Sequence, residues 1–133
     1  MIYTRILNSI KAKNWPQFRS ALVNGIREHK IQKLSLSNIY KSLRSTEEGK
    51  QIADAEVRFV TNNNETEWNE DYMEEIASAI ICGDTNEKVA KHMVDVSNKL
   101  KWKDNAYRLK VIVFSACAII AVVVTLICLI KRN

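Results

Sequence analysis

The chain has 133 residues, of which 47% are hydrophobic, and its 20 basic and 15 acidic residues give a net charge of +5. This length allows one small domain with its own core, and three cysteines are too few for a disulfide-stapled scaffold. The sequence contains no phosphate-cradling glycine loop and no assembled Ser/His/Asp or Cys/His set. We therefore expect a non-enzymatic protein with no catalytic residue, no metal site and no cofactor.

Charge is distributed along the chain in three blocks of alternating sign. Residues 1–50 carry a net charge of +7, residues 51–87 carry −9, and residues 88–133 carry +7. Blocks of this kind either pair inside one fold or present separate basic and acidic faces to partners.

Two helices are predicted in the first thirty residues. The first covers residues 3–13, and its inward stripe at helical spacing is Tyr3, Ile6, Leu7 and Ile10. Asn14 is the predicted N-cap of the second helix, and Pro16 falls in its first turn, where a missing N–H costs little. This helix extends to about residue 30, with an apolar face of Trp15, Phe18, Leu22 and Ile26 and with Arg19 on or near the opposite side.

Two further helices are predicted after residues 31–37, which are predicted to be a connector or a short extended piece. Ser37 is the predicted cap of a helix that runs to residue 44, and Ser45 with Glu48 forms a capping-box pattern for the next. The spacing of Ile52, Ala55 and Phe59 extends that fourth helix to about residue 60.

The middle of the chain is predicted to be a loop followed by an acidic helix. The loop covers residues 61–66 with three consecutive Asn, and Thr66 is the predicted cap of a helix that ends at Gly83. The inward residues of this helix are Trp68, Tyr72, Ile76, Ala79 and Ile80. Its outer acidic residues form a candidate docking face for basic segments: Glu67, Glu70, Asp71, Glu74 and Glu75.

Three side chains with chemical potential receive structural interpretations. Cys82 lies in an apolar helix end and is predicted to be core. His29 and His92 are far apart in the sequence and are predicted to lie at the surface or the rim of the core.

The last predicted helix begins after Asp84 or Thr85, and no Gly or Pro follows them. Four apolar residues recur at heptad spacing in it: Val89, Met93, Val96 and Leu100. They indicate either the last helix of the bundle, which we prefer, or a stalk that pairs with a second copy.

Residues 111–130 (VIVFSACAIIAVVVTLICLI) carry no charge over twenty positions. A helix needs about 20 apolar residues to cross the hydrocarbon core of a bilayer, and a soluble helix of this length would keep a polar face. We therefore expect a single transmembrane helix with a short tail at residues 131–133. No signal peptide is visible, and Lys and Arg are more numerous before the span, which places residues 1–110 in the cytoplasm in a tail-anchored layout.

Basic and aromatic residues flank the predicted span and suit an anionic leaflet. These membrane-interface candidates are Lys101, Trp102, Lys103, Tyr107, Arg108, Lys110, Lys131 and Arg132. Within the span, small residues at four-residue spacing are the candidates for helix–helix contact in the membrane: Cys117, Ala121 and Thr125.

The predicted fold is all-α, a cytoplasmic bundle of five or six helices whose last helix continues into the C-terminal transmembrane helix. Residues 1–84 form the bundle, residues 85–110 a stalk whose first half packs in it, and residues 111–130 the span. The predicted function is a membrane-tethered interaction, adaptor or inhibitor module, with an anionic bilayer, an unidentified protein and a second copy as partners.

Two alternative functions belong to other classes. One is a membrane-active effector of the lysis, holin or toxin type, which acts by assembly of its membrane helix. The other is a membrane-tethered nucleic-acid or ribosome binder that uses the basic residues 1–50, although the acidic residues after Ser45 suit a phosphate-lined groove poorly. Frequent Asn, Lys and Ile are typical of A+T-rich coding sequences, which are common in phages, viruses and low-G+C bacteria.

Overall fold

The structure, a computed structural model, describes the backbone of residues 2–132 and the side chains of residues 2–101 and 119–131. All regular elements in the described backbone are helices, so the prediction of an all-α bundle is confirmed. They are α1 (Ile2–Lys11), α2 (Trp15–Arg27), α3 (Lys33–Leu43), α4 (Glu47–Ala53), a 3₁₀ helix (Glu65–Glu67), α5 (Glu70–Ile81) and α6 (Glu87–Arg132). The chain divides into two compact units, residues 1–100 and residues 101–133.

The first unit is built on one continuous hydrophobic core. Each long helix turns toward it the apolar stripe that its 3.6-residue period produces. Its largest fully buried aliphatic side chains are Ile6, Leu22, Ile26, Ile31, Leu36, Ile39, Leu43, Ile76, Ile80 and Met93. The heptad residues Val89, Met93 and Val96 of α6 are at most 1% exposed, so they pack within the bundle.

The junction from α1 to α2 follows the predicted pattern. Asn14 caps α2 through its side-chain oxygen, which accepts the Gln17 N–H at 3.3 Å, and Pro16 lies in the first turn. Tyr3 was predicted to face inward, but it is 38% exposed. It lies one turn before Ile6, which is the residue that enters the core.

Helix α2 ends at Arg27, earlier than predicted, because the chain reverses around Gly25. The backbone N–H groups of Lys30 and Ile31 both donate to the Gly25 carbonyl, and His29 adopts a positive φ of 59°. A Cβ atom at Gly25 would lie 2.3 Å from Ile31 Cδ1. The close return of the buried Ile31 therefore requires glycine at this position.

The predicted connector at residues 31–37 is wrong, because α3 begins at Lys33 and Ser37 lies inside it. Leu36 is fully buried, and its N–H donates to the Gln32 carbonyl at 2.9 Å. Burial of Leu36 on the same face as Ile39 and Leu43 thus sets the start of the helix one turn earlier. Ser37 therefore does not cap the helix.

Helix α4 is also shorter than predicted. Its cap is Thr46 rather than Ser45, since Thr46 Oγ1 accepts the Gly49 N–H at 3.1 Å. The helix ends at Ala53 instead of near residue 60.

The residues after α4 form an extended segment, residues 55–60, with alternating inward and outward positions. Ala55, Val57 and Phe59 are partly buried, whereas the residues between them are exposed. The Asp84 carboxylate accepts the N–H groups of Arg58 at 2.7 Å and Phe59 at 2.9 Å. These bonds to a distant loop replace the helical bonds that were expected here.

Helix α5 begins at Glu70, where Asn69 and not Thr66 is the cap, because Asn69 Oδ1 accepts the Tyr72 N–H at 2.8 Å. Trp68 is buried as predicted, but it lies before the helix. Gly83, with φ of 88°, follows the end of α5 as predicted. Cys82 is exposed, contrary to the core prediction, because the inward stripe of α5 ends at Ile80.

Helix α6 begins after Asn86, which fills the role predicted for Asp84 or Thr85. Asn86 Oδ1 accepts the Val89 N–H at 3.1 Å, and its Nδ2 donates to the Ala55 carbonyl at 3.0 Å. One side chain thus starts a helix and holds the extended segment.

In the second unit, every residue from 119 to 131 is exposed. The apolar residues there are 49–74% exposed: Ile119, Ile120, Val122, Val123, Val124, Leu126, Ile127, Leu129 and Ile130. Among the residues that the structure describes, no helix is both long enough and apolar enough to span a membrane.

Candidate functional site

The five residues of the predicted acidic docking face are all exposed. Two of them make contacts within the bundle: Glu74 pairs with Arg27 of α2, and Glu67 accepts the side-chain amide of Asn62 at 2.6 Å. Glu67 belongs to the 3₁₀ helix, so Glu70, Asp71, Glu74 and Glu75 are the exposed acidic residues of α5. Among the described side chains, no group of three His, Cys, Asp or Glu is arranged to hold a metal ion.

The charge blocks pair inside the fold. Ion pairs join the acidic middle block to both basic blocks, as in Arg27 with Glu74, Arg44 with Glu87 at 2.7 Å, and Lys99 with Glu65 at 3.4 Å. Because most of these groups are solvent-exposed, each contributes only about 0–1 kcal/mol. The ion pairs therefore contribute more to which helix faces pack together than to the free energy of unfolding.

Arg44 forms the most connected of these pairs. Its guanidinium donates to Glu87 at 2.7 Å and to Asp54 at 3.0 Å. Both hydrogen bonds raise the pKa of Arg44, and the bond to Glu87 has the larger effect. Burial raises the pKa of the neighbouring Tyr40, and the Glu87 charge adds to that effect. Since two carboxylates surround one guanidinium, this cluster joins α3, α4 and α6 structurally.

His92 was predicted to lie at the surface or rim, but it is only 8% exposed. Its Nε2 lies 2.7 Å from Tyr72 Oη, which accepts the Asn62 N–H at 2.8 Å. Tyr72 can therefore direct its own proton to His92 Nε2, which favours a neutral imidazole protonated on Nδ1. Burial lowers the pKa of His92, and the charge of Asp95 opposes that shift.

Trp68 completes this buried polar group. Its ring meets His92 edge to face with centroids 5.3 Å apart, and its Nε1 donates to the Asn62 carbonyl at 2.6 Å. The spacing of His92 and Val96, one turn apart on the inner stripe of α6, is the sequence signal that could have identified the buried position.

Arg19 is partly buried, although it was predicted on the outer side of α2. Its Nε has no hydrogen-bond partner in the part of the chain that the structure describes. A cavity of about 340 Å³ lies beside it, and the residues that line this cavity are Trp15, Arg19, Glu48, Gln51, Ile52, Ala55, Gly83 and Thr85. Sequence patterns did not reveal this cavity, because its walls come from α2, α4, the extended segment and the α5–α6 loop.

The membrane-interface candidates fall mainly outside the described side chains. Lys101 and Lys131 are exposed, whereas the side chains of Trp102, Lys103, Tyr107, Arg108, Lys110 and Arg132 lie outside the described residues. Of the helix-contact candidates, Cys117 also lies outside them. Ala121 and Thr125 are exposed, and Thr125 Oγ1 donates to the Ala121 carbonyl at 2.9 Å.

No protein-family model, no curated protein and no solved structure matches this chain. Inferences about function therefore rest on two features of the described residues. One is the exposed apolar stretch at residues 119–130, and the other is the cavity beside Arg19.

Proposed function

We propose that this chain is a non-enzymatic, membrane-anchored interaction protein. Residues 1–100 would form the interaction module, and residues 111–130 would anchor it in a bilayer. The observation that carries the proposal is the exposure of nine large apolar side chains between Ile119 and Ile130. A helix that is apolar all around needs an apolar environment to cover it.

The length of the uncharged stretch supports lipid as that environment. Twenty helical residues extend about 30 Å at 1.5 Å per residue, which equals the thickness of a bilayer's hydrocarbon core. The greater number of Lys and Arg before residue 111 than after residue 130 supports an orientation with residues 1–100 on the cytoplasmic side.

The interaction role of the first unit rests on its surface. Glu70, Asp71 and Glu75 are exposed on α5 and open to solution. Because the first block of the chain directs several of its basic residues into ion pairs, we favour a protein partner over a nucleic acid. Removal of residues 111–133 should leave a folded module that still binds this partner in a pull-down.

Membrane anchoring is tested by placing two lysines in the apolar stretch. The double variant Ile120→Lys/Val124→Lys should leave the membrane fraction, because a lysine near the centre of a transmembrane helix costs about 3 kcal/mol. The measurement is fractionation of the expressed protein followed by alkaline carbonate extraction. The matched control is Leu34→Lys/Val60→Lys, which changes two exposed apolar residues of the first unit and should stay with the membrane. Carbonate-extractable wild-type protein would refute the anchor.

The same expression experiment separates an anchor from a membrane-active effector. An anchor leaves the membrane potential of the host cells unchanged at high expression. Depolarisation that Ala121→Leu weakens would instead indicate assembly of membrane helices through their small residues.

A further inference from the structure

Arg19 carries a buried donor that lacks an acceptor. Within the described residues its side chain makes no hydrogen bond or ion pair, and its Nε is completely buried. A buried donor without an acceptor is costly, but Arg19 as a whole is only partly buried and lines the cavity. The accessible part of its guanidinium therefore faces the cavity without a counter-charge among the described residues.

The guanidinium of Arg19 is held in place by the loop that follows α5. A Cβ atom added to Gly83 would lie 3.3 Å from Arg19 Nη1, so the loop backbone packs against the guanidinium. Gly83 has φ of 88°, which favours glycine. Because the group is already positioned, an incoming acceptor would not have to order a free side chain.

The one carboxylate in the lining of the cavity already has other partners. Glu48 accepts the Trp15 Nε1–H at 2.9 Å and lies 3.6 Å from Lys13 Nζ. Lys13, Arg19 and Glu48 together leave one positive charge without a counter-charge. A ligand with a single negative charge would neutralise it, whereas a phosphate dianion would leave one negative charge in excess.

The residues that line the cavity indicate the chemistry of the uncharged part of the ligand. Trp15, Ile52 and Ala55 form apolar parts of the wall, and Gln51 and Thr85 add polar groups. About 340 Å³ accommodates a short chain of carbon atoms. We propose that the cavity between α2, α4 and the Gly83 loop binds a carboxylate attached to a short apolar chain, with Arg19 as its counter-ion.

This chemistry has two sources, a free short-chain carboxylic acid or the C-terminal carboxylate of a partner protein that ends in an apolar residue. In both, the planar guanidinium donates two parallel hydrogen bonds to the carboxylate. The site lies in the first unit, and its occupation does not depend on membrane anchoring.

Hexanoate is the probe for the site in the full-length chain, kept in detergent micelles and labelled with ¹⁵N. We expect saturable shifts of the Arg19 Nε–H and Trp15 indole signals. Hexanamide and inorganic phosphate should each bind at least about tenfold more weakly, since the first lacks the charge and the second has no apolar chain to pack against Trp15 and Ile52. Absence of a saturable shift, or equal binding of hexanamide or phosphate, would overturn the proposal.

Arg19→Met supplies the decisive variant. It should weaken hexanoate binding at least about tenfold and leave the melting temperature equal or higher, because it removes an unpartnered buried donor. Arg5→Met, at an exposed arginine of α1, is the matched control and should bind like the wild type. If Arg19→Met does not fold, Arg19→Lys serves, since it keeps the charge but loses the planar donor pair. Unchanged hexanoate binding in a folded Arg19 variant would exclude this site.

The two sources are separated by the acetylated tripeptide Ala-Ala-Leu with a free or an amidated C-terminus. Binding of the free form at least tenfold tighter than hexanoate, and its loss on amidation, assigns the site to a protein C-terminus. Tighter binding of hexanoate assigns it to a free carboxylic acid.

Discussion

At the scale of single residues, Asp84 determines the conformation of a segment 25 positions earlier in the chain. Its carboxylate accepts two consecutive backbone N–H groups, those of Arg58 and Phe59, which a helix would have used internally. The sequence does contain the corresponding signal, the alternation of apolar and charged residues from 55 to 59. It was outweighed by the helical spacing of Ile52, Ala55 and Phe59, because residue spacing alone does not reveal a distant acceptor.

Asp84→Ala should destabilise the first unit by about 2 kcal/mol, since it removes two hydrogen bonds to a charged acceptor. The measurement is the urea midpoint of the full-length chain in micelles. Asp71→Ala removes an exposed carboxylate from α5 and should change the free energy of unfolding by no more than about 0.5 kcal/mol. Equal effects of the two substitutions would show that the bonds of Asp84 add no stability.

The cap of α4 provides a second comparison between single residues. Thr46→Ala should cost about 1 kcal/mol, because the Gly49 N–H loses its acceptor. Ser45→Ala should cost less, since Ser45 Oγ donates to the Ser42 carbonyl in an exposed bond. Thermal unfolding of the two variants checks the order, and a larger loss for Ser45→Ala would restore the predicted capping box.

At the scale of elements, the existence of every long helix was predictable from apolar periodicity, but several boundaries were not. The N-cap of α2 is Asn14, which directly precedes the helix in the sequence, and it was predicted correctly. Helix α6 begins after Asn86, whose side-chain amide also donates to the Ala55 carbonyl. A hydrogen bond between residues so far apart in the chain leaves no local sequence pattern. Boundaries set by local chemistry were therefore predictable, whereas boundaries set by tertiary contacts were not.

His92 of α6 contacts Tyr72 of α5, whose hydroxyl accepts the N–H of Asn62 in the loop before α5. The stability of this part of the bundle should therefore depend on pH. Burial keeps the pKa of His92 below its ordinary 6.5. Between the folded pKa and 6.5, the unfolded chain therefore binds more protons than the folded chain. Stability should be full above pH 6.5 and fall as the pH drops through 6.5 toward the folded pKa. Urea midpoints between pH 7.5 and 5 measure this slope.

His92→Gln is the control for the pH effect, because it keeps a polar side chain that does not titrate. The variant should be less stable at pH 7.5 and should lose part of the slope between pH 7 and 5.5. An unchanged slope would assign the pH dependence to other groups.

At the scale of the whole molecule, the alternating charge blocks left two interpretations open, pairing within the fold or separate faces for partners. The ion pairs of Arg27, Arg44 and Lys99 with residues of the acidic middle block support pairing within the fold. The cavity beside Arg19 was not predictable, because Arg19 and Gly83 meet only after α2, α4 and α5 have packed. A charged residue at the edge of an apolar helix face is ordinarily solvated, and its sequence neighbours do not indicate otherwise.

The position of the last core residues has a consequence for synthesis. Ser97 is buried and donates to the Ile26 carbonyl, so the bundle closes only after the ribosome has produced residue 97. The uncharged stretch begins at residue 111, and at about 5–20 residues per second residues 98–130 take roughly 2–7 s. Closure of the bundle and emergence of the apolar stretch therefore share the same few seconds. A nascent chain that folds slowly would expose an open core and the apolar stretch together, which is when chaperones would matter most to it.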